Sequence, residues 1–188
     1  MLAQIISLLL GTAADILAVA FLARVWMQWV RAPFRNPIGQ FILTTTDWAV
    51  RPLRRIIPGL FGADLASVFA AWLVQIAFLG IMAGLTGLVL LTPGAILGVA
   101  WMAALVVARI FIYLLMGVVI IAALLSWINP HSPFLALFDG LARPLLGPIR
   151  RRMPAMGGVD FSPLIVILLL QVVLIVLANL QPASLLLP

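Results

Sequence analysis

The chain has 188 residues, 65% of them hydrophobic and only 9% charged, with a mean hydropathy of +1.29. A soluble domain carries about 25% charged residues, so a deficit this large over the whole length makes lipid the solvent. Every basic residue is Arg and every acidic one is Asp; cations interleaved with long apolar runs exclude a soluble nucleic-acid surface, and the absence of cysteine excludes disulfides and thiolate metal sites.

The first apolar segment runs from Leu2 to Val30, with Asp15 in its middle and Arg24 near its end. It has no basic n-region and no clear cleavage site, so it is expected to be a retained helix and not a signal peptide. Arg24 is expected to snorkel to the headgroups. Ile38 to Ile57 then reads as an amphipathic helix. Ile38, Phe41, Ile42, Trp48 and Leu53 mostly share one face, and Asp47, Arg51, Arg54 and Arg55 fall on another. Pro52 is expected to end that helix, and Pro58, Gly59 and Gly62 to loosen the chain after it. Asp64 precedes the next apolar segment as a capping or dipole-complementing charge. That segment, Val68 to Leu91, contains Gln75 and no charge, and Thr92-Pro93-Gly94 closes it as a turn signal.

The third apolar segment runs from Ala95 to Ile128 and contains Arg109. A second amphipathic pattern follows, with Phe134, Leu137, Phe138, Leu141 and Leu145 set against Asp139 and Arg143. Pro144 and Pro154 are expected to break it, with Gly157 and Gly158 loosening the chain. Asp160 repeats the role of Asp64, and Ser162-Pro163 reads as an N-cap followed by an N1 proline. The last segment, Leu164 to about Leu180, contains Gln171. Each of the four apolar segments is long enough to cross a bilayer, which takes about 20 helical residues.

The second half repeats the first. Arg54, Arg55, Pro58, Asp64 and Gln75 match Arg150, Arg151, Pro154, Asp160 and Gln171 at one offset (150 − 54 = 96). Asp47, Arg51, Pro52 and Leu53 match Asp139, Arg143, Pro144 and Leu145 at another (139 − 47 = 92). An internal duplication is expected: residues 1–92 and 93–188 each form a helix, a basic interfacial segment and a helix. The fold class is an all-α membrane protein with four transmembrane helices as two parallel repeats. Arg31, Arg35, Arg51, Arg54 and Arg55 lie between the first two spans, and Arg143, Arg150, Arg151 and Arg152 between the last two. The N-terminus, the Thr92–Gly94 turn and the tail after Leu180 hold no charged side chain. The positive-inside rule then places both basic segments in the cytoplasm and both termini outside. The amphipathic helices should lie in the interface plane. There Arg51, Arg54, Arg55, Arg143, Arg150, Arg151 and Arg152 either enforce topology alone or bind anionic lipid or a partner.

These residues carry a resemblance. Asn36-Pro37 and Ser132-Pro133 each precede D-x-x-x-R-P-L, a doubled arginine, a proline and a later aspartate. The fullest form is "RPLLGPIRRRMPAMGGVDFSP", with Ala66-Ser67 in the first half where Ser162-Pro163 stand in the second. The whole chain resembles the YggT family of small bacterial membrane proteins, which has chloroplast relatives. The resemblance implies a bacterial inner-membrane protein linked to osmotic-stress tolerance, ion homeostasis or cell division, and in chloroplasts to cytochrome assembly. It carries over no catalytic residue.

Chemistry is sparse. His131 is the one histidine and reads as a turn residue; without Cys or Glu it lacks companions for a metal site. Ser7, Ser67, Ser126 and Ser162 have no base in sequence reach other than His131. No enzyme, metal or cofactor is expected. Asp15 and Arg109 lie at similar depth near the middle of their spans (15 − 1 = 14 and 109 − 94 = 15 residues in). A lone charge there costs at least about 2.5–3.5 kcal/mol. An Asp15–Arg109 ion pair is therefore expected, with Gln75 and Gln171 supplying hydrogen bonds; it either fixes helix packing or forms an ion site. Two functions stand: support of osmotic or ion balance with arginine segments on anionic lipid or a partner, in a homo-oligomer if it conducts, or a scaffold for another membrane complex.

Overall fold

A computed structural model describes residues 1–57, 59, 64–85, 92–129, 131–152 and 160–180. Among them every regular element is a helix: α1 (Leu2–Trp29), α2 (Pro37–Leu53), α3 (Leu65–Leu85), α4 (Pro93–Ile128), α5 (Pro133–Arg150) and α6 (Ser162–Asn179). Four of these, α1, α3, α4 and α6, are long and apolar enough to cross a membrane. Pro58, Pro154, Gly62, Gly157 and Gly158 lie outside the described residues, as does the end of the second expected span.

The helices begin where side chains can take up orphan N–H groups. Asn36 caps α2 by accepting the Gly39 N–H at 2.8 Å, with Pro37 at the first turn. Thr92 caps α4 by accepting the Ala95 N–H, and Ser132 caps α5 by accepting the Phe134 N–H. Thr92-Pro93-Gly94 is therefore the start of α4 and not a free turn. Residue 39 must be glycine: a Cβ there would stand 2.7 Å from the Phe34 Cα. At the other end of α1, Arg31 takes a left-handed conformation (φ 58°), while the Ala32 N–H donates to the Met27 carbonyl and the Arg31 N–H to Gln28. This is a Schellman stop with arginine where glycine is usual.

One expected break does not occur. α2 ends at Leu53, one residue past Pro52, but α5 continues through both Pro144 and Pro148 to Arg150. Each proline forfeits one N–H donor, whereas α5 keeps Leu137, Leu141, Ala142 and Leu146 buried along one continuous face. The buried face of α2 is Gly39, Ile42, Thr46 and Val50; of the expected apolar face, Phe41 and Trp48 are exposed.

α1 and α3 run antiparallel. On α1 and α3, Asp15 meets Gln75 and Arg24 meets Asp64, so the chain positions run in opposite senses. α3 meets α4 through the Trp72 indole, which donates to the Ala100 carbonyl at 2.9 Å, and α4 meets α6 through Leu115, Val118, Val166 and Leu170. The Trp26 indole donates to the Leu141 carbonyl at 3.0 Å and so ties the end of α1 to α5. The core has two parts. Trp26, Met27, Val119, Leu141 and Leu146 belong to one, and Phe21, Leu22, Val50, Ala71 and Val107 to the other. Both lie toward the end that carries α2 and α5, so the interfacial helices are part of the core and not appendages to it.

Candidate functional site

The densest polar construction lies where α1, α2 and the start of α3 meet, and its hub is Arg24. Arg24 is only 4% exposed. Its Nη1 donates to the Thr46 Oγ1 at 2.7 Å and to the Asp47 Oδ1 at 2.8 Å, and its Nε stands 3.5 Å from the Asp64 Oδ2. Asp64 is 2% exposed and also accepts from the Arg54 guanidinium at 2.6 Å and from the Ser67 Oγ at 2.6 Å. Arg54 reaches on to the Gln28 Oε1, and Arg51 pairs with Asp47 at one helical turn. Sequence reading had Arg24 snorkelling to the headgroups. The structure corrects this: two aspartates from other elements converge on the guanidinium, and pairing replaces hydration.

The network holds its charges. Burial works against the Asp64 carboxylate, but the hydrogen bonds from Arg54 and Ser67 and the nearby guanidiniums outweigh it and hold its pKa below the ordinary value. Asp47 is lowered in the same way, with burial opposed chiefly by Arg24 and then Arg51. The bond to Asp64 raises Arg54. Carboxylates held down beside guanidiniums are poor proton carriers near neutral pH. The arrangement therefore fixes three helices by charge.

The second half builds a looser version. Arg150 spans Asp139 at 3.1 Å and Asp160 at 2.8 Å, and all three side chains are at least one-third exposed. Burial opposes the Asp160 charge, but bonds from Ser162 and Arg150 hold its pKa low. Asp160 also accepts the Ser162 N–H at 2.9 Å just before α6. Ser162 is the first residue of α6 and not its cap; Phe161 stands at the cap position and makes no side-chain capping bond, and the Ser162 Oγ is buried without a partner among the described residues. Arg143 makes no ion pair among the described residues, since Asp139 faces Arg150. Arg55, Arg151 and Arg152 likewise have no carboxylate partner there. His131 is exposed in the turn between α4 and α5.

The expected mid-membrane cluster is brought together only in part. The Gln75 Nε2 donates to the Asp15 Oδ1 at 2.9 Å, and Gln75 is fully buried with its Oε1 unpartnered. No Asp15–Arg109 ion pair forms among the described residues; Arg109 is half-buried and Asp15 exposed. The α4 residues packed into the core shared with α1, α2 and α3 are Val106, Val107, Ile110, Phe111 and Leu114. Arg109 stands about 100° or more round the helix from all of these but Val106, which is about 60° away. Equal depth did not imply a shared face. Gln171, at the position matching Gln75, is exposed. The cavity beside Asp15, of about 550 Å³ between α1, α2, α4 and α5, is otherwise walled by apolar side chains and Thr12.

Four spans, two core-packed interfacial helices and charge-locked junctions define an all-α protein of the membrane-spanning class. The chain belongs to the CCB3/YggT family, whose model matches residues 3–85 and again 101–181. It is 37% identical over 170 residues to an uncharacterized protein, YggT, of Escherichia coli K12, covering 89% of this chain and 86% of that one. An uncharacterized Pseudomonas aeruginosa protein is 35% identical over 173 residues (91% and 87% covered), and a Vibrio alginolyticus protein 34% over 169 residues (88% and 89% covered). No solved structure matches.

Proposed function

We propose that this protein is a non-enzymatic protein of the bacterial inner membrane. In this reading its basic segments face the cytoplasm and contact anionic lipid or a partner, and the contact supports osmotic-stress tolerance or ion homeostasis. The observation that carries the reading is a division among the arginines. Arg24, Arg51, Arg54 and Arg150 are held by carboxylates. Arg55, Arg143, Arg151 and Arg152, on the same interfacial segments, have no carboxylate partner among the described residues and are exposed. A basic residue near an anionic leaflet contributes about 1 kcal/mol, so the unpaired set is free to act on lipid. The physiological role is the one the family resemblance suggests. The chain is read as two copies of one unit, supported by the two separate segments that the family model matches.

The test is complementation. A strain lacking the protein is given either the wild type or a variant with Arg55, Arg143, Arg151 and Arg152 all changed to Gln, at equal membrane levels. Loss of growth after osmotic upshift with the variant supports the reading; full rescue overturns it. Orientation is tested separately: single cysteines at Gln40 and Gly94 should label from opposite sides of the membrane. A second reading, a scaffold for another membrane complex, is favoured by the outward-facing aromatics Phe41 and Trp48. Stable co-purification of one partner after crosslinking in native membranes would select it.

A further inference from the structure

Two arginines without an ion-pair partner among the described residues line one cavity. It has a volume of about 530 Å³ and lies between the end of α1 and the exposed side of α5, and both Arg31 and Arg143 line it. Like charges in one recess repel unless an anion joins them. Neither arginine has an ion-pair partner among the described residues.

Both are left free by identifiable local choices. Arg143 is the match of Arg51, which pairs with Asp47 four residues before it. In the second half the corresponding aspartate, Asp139, faces Arg150 instead. Arg31 sits in the left-handed position that ends α1, where glycine would be the unstrained choice. A side chain kept in a sparsely populated conformation points to a use for that side chain.

The remaining walls narrow the ligand class. Pro33, Pro133 and Pro144 offer no N–H donor, and the Asn36 side chain is already used, donating to the Pro33 carbonyl and accepting from the Gly39 N–H. Val30, Ala32 and Leu137 make the rest apolar. Two forked donors on an apolar ground fit a tetrahedral oxyanion joined to an apolar body.

We propose that Arg31 and Arg143 form a discrete phosphate-binding site between α1 and α5, at the level of the interfacial helices. The chemistry recognised is a phosphate group, carried by a phospholipid or free. The inference rests on the reading of the basic face as the lipid-contacting face, and it narrows that reading to one site.

The experiment is native mass spectrometry of the detergent-purified protein titrated with phosphatidylglycerol, phosphatidylcholine or inorganic phosphate. The wild type should retain one phosphatidylglycerol with saturable occupancy. Arg31→Gln with Arg143→Gln should weaken it by about tenfold or more, the scale of losing a charged hydrogen bond. Arg35→Gln, at an exposed arginine that does not line the cavity, should leave that adduct in place. Thermal midpoints of both variants should match the wild type, since Arg31, Arg35 and Arg143 have no ion-pair partner among the described residues. Equal weakening in both variants, or none in the first, overturns the site while leaving the lipid-facing surface standing. Absence of any phosphatidylglycerol preference in the wild type overturns the broader reading. Inorganic phosphate that binds alone, depends on Arg31 and Arg143 and displaces the lipid assigns the site to the free anion.

Discussion

The two interfacial junctions begin from matching residues and end at different states of burial. In the first, Asp47 and Asp64 meet a guanidinium from α1 inside the protein, and Arg54 joins from the surface. In the second, Asp139 and Asp160 meet only Arg150, at the surface. The position in α4 that corresponds to Arg24, counted from the tryptophan near each helix end (29 − 24 = 5 and 127 − 122 = 5), is Ala122, buried in the apolar core. The hydroxyls differ too: Thr46 and Ser67, which bond Arg24 and Asp64 in the first junction, are matched by Phe138 and Pro163 in the second (138 − 46 = 92 and 163 − 67 = 96). The same surface motif, D-x-x-x-R-P-L with a later doubled arginine, closes a buried knot when a third arginine reaches it from the span and a solvated clamp when none does.

Removing the hub should separate the two junctions most sharply. Arg24→Gln leaves Asp64 buried with fewer partners, and breaking a buried pair by deleting one side costs about 3–5 kcal/mol. Arg150→Gln removes an exposed clamp, worth about 0.2–1 kcal/mol. Thermal unfolding in detergent should therefore show a large loss for the first variant and a small one for the second. Equal losses would mean that burial does not distinguish the junctions.

Acid should find the same difference. Asp47, Asp64 and Asp160 all have folded-state pKa values below their ordinary ones. Their contribution is fully present above the unfolded carboxylate pKa and is lost as pH falls through the depressed folded values. Stability should be flat near neutral pH and fall on acidification. Asp64→Asn should lower the neutral-pH midpoint and flatten the acid limb more than Asp160→Asn, because Asp64 is buried and Asp160 is not. A larger flattening from Asp160→Asn would reverse the assignment.

The backbone offers a third contrast. Gly39 on α2 has the Phe34 backbone where a Cβ would go, whereas Gly140 on α5 has nothing within 4 Å. Gly39→Ala should cost about 1–3 kcal/mol, as overpacking does. Gly140→Ala should be neutral or stabilising by up to about 1 kcal/mol, since alanine is the better helix former. Opposite signs in paired melting curves are the expected result.

Much of the fold was legible because it depends on composition and period. Four apolar runs and two amphipathic ones became six helices, with boundaries moved by caps such as Asn36 and Thr92. Pro144 misled because a proline penalty is local, while the buried face that overrides it is visible only when Leu137, Leu141 and Leu146 are packed. Asp64 and Arg54 were legible as important, being charges at matched positions. Arg24 was not, because distance along α1 to the headgroups argued for snorkelling and nothing in the local sequence reveals two aspartates, 23 and 40 residues on (47 − 24 and 64 − 24), folding back onto it. Arg109 failed in the other direction. Depth can be counted from a helix end, but the face a residue presents to a particular neighbour depends on packing that a single span does not encode.

The smallest expected effect concerns where the two spans end. α1 stops with Arg31 in a left-handed conformation, while α4 stops at Asn129 with φ −143° and no left-handed residue. The left-handed region costs an L-residue roughly 1–2 kcal/mol relative to the right-handed one, and glycine removes that cost while losing more entropy on folding. Arg31→Gly should therefore raise the thermal midpoint slightly, by the equivalent of about 1 kcal/mol or less. Asn129→Gly should not, because no strain is present there to relieve. Arg31 is exposed and unpaired among the described residues, so no ion pair there offsets the gain. A stabilised Arg31→Gly that loses bound phosphatidylglycerol would show the conformation being kept for the guanidinium it positions. A destabilised Arg31→Gly would show instead that the arginine supports the helix end, through the carbonyls left free at the C-terminus of α1.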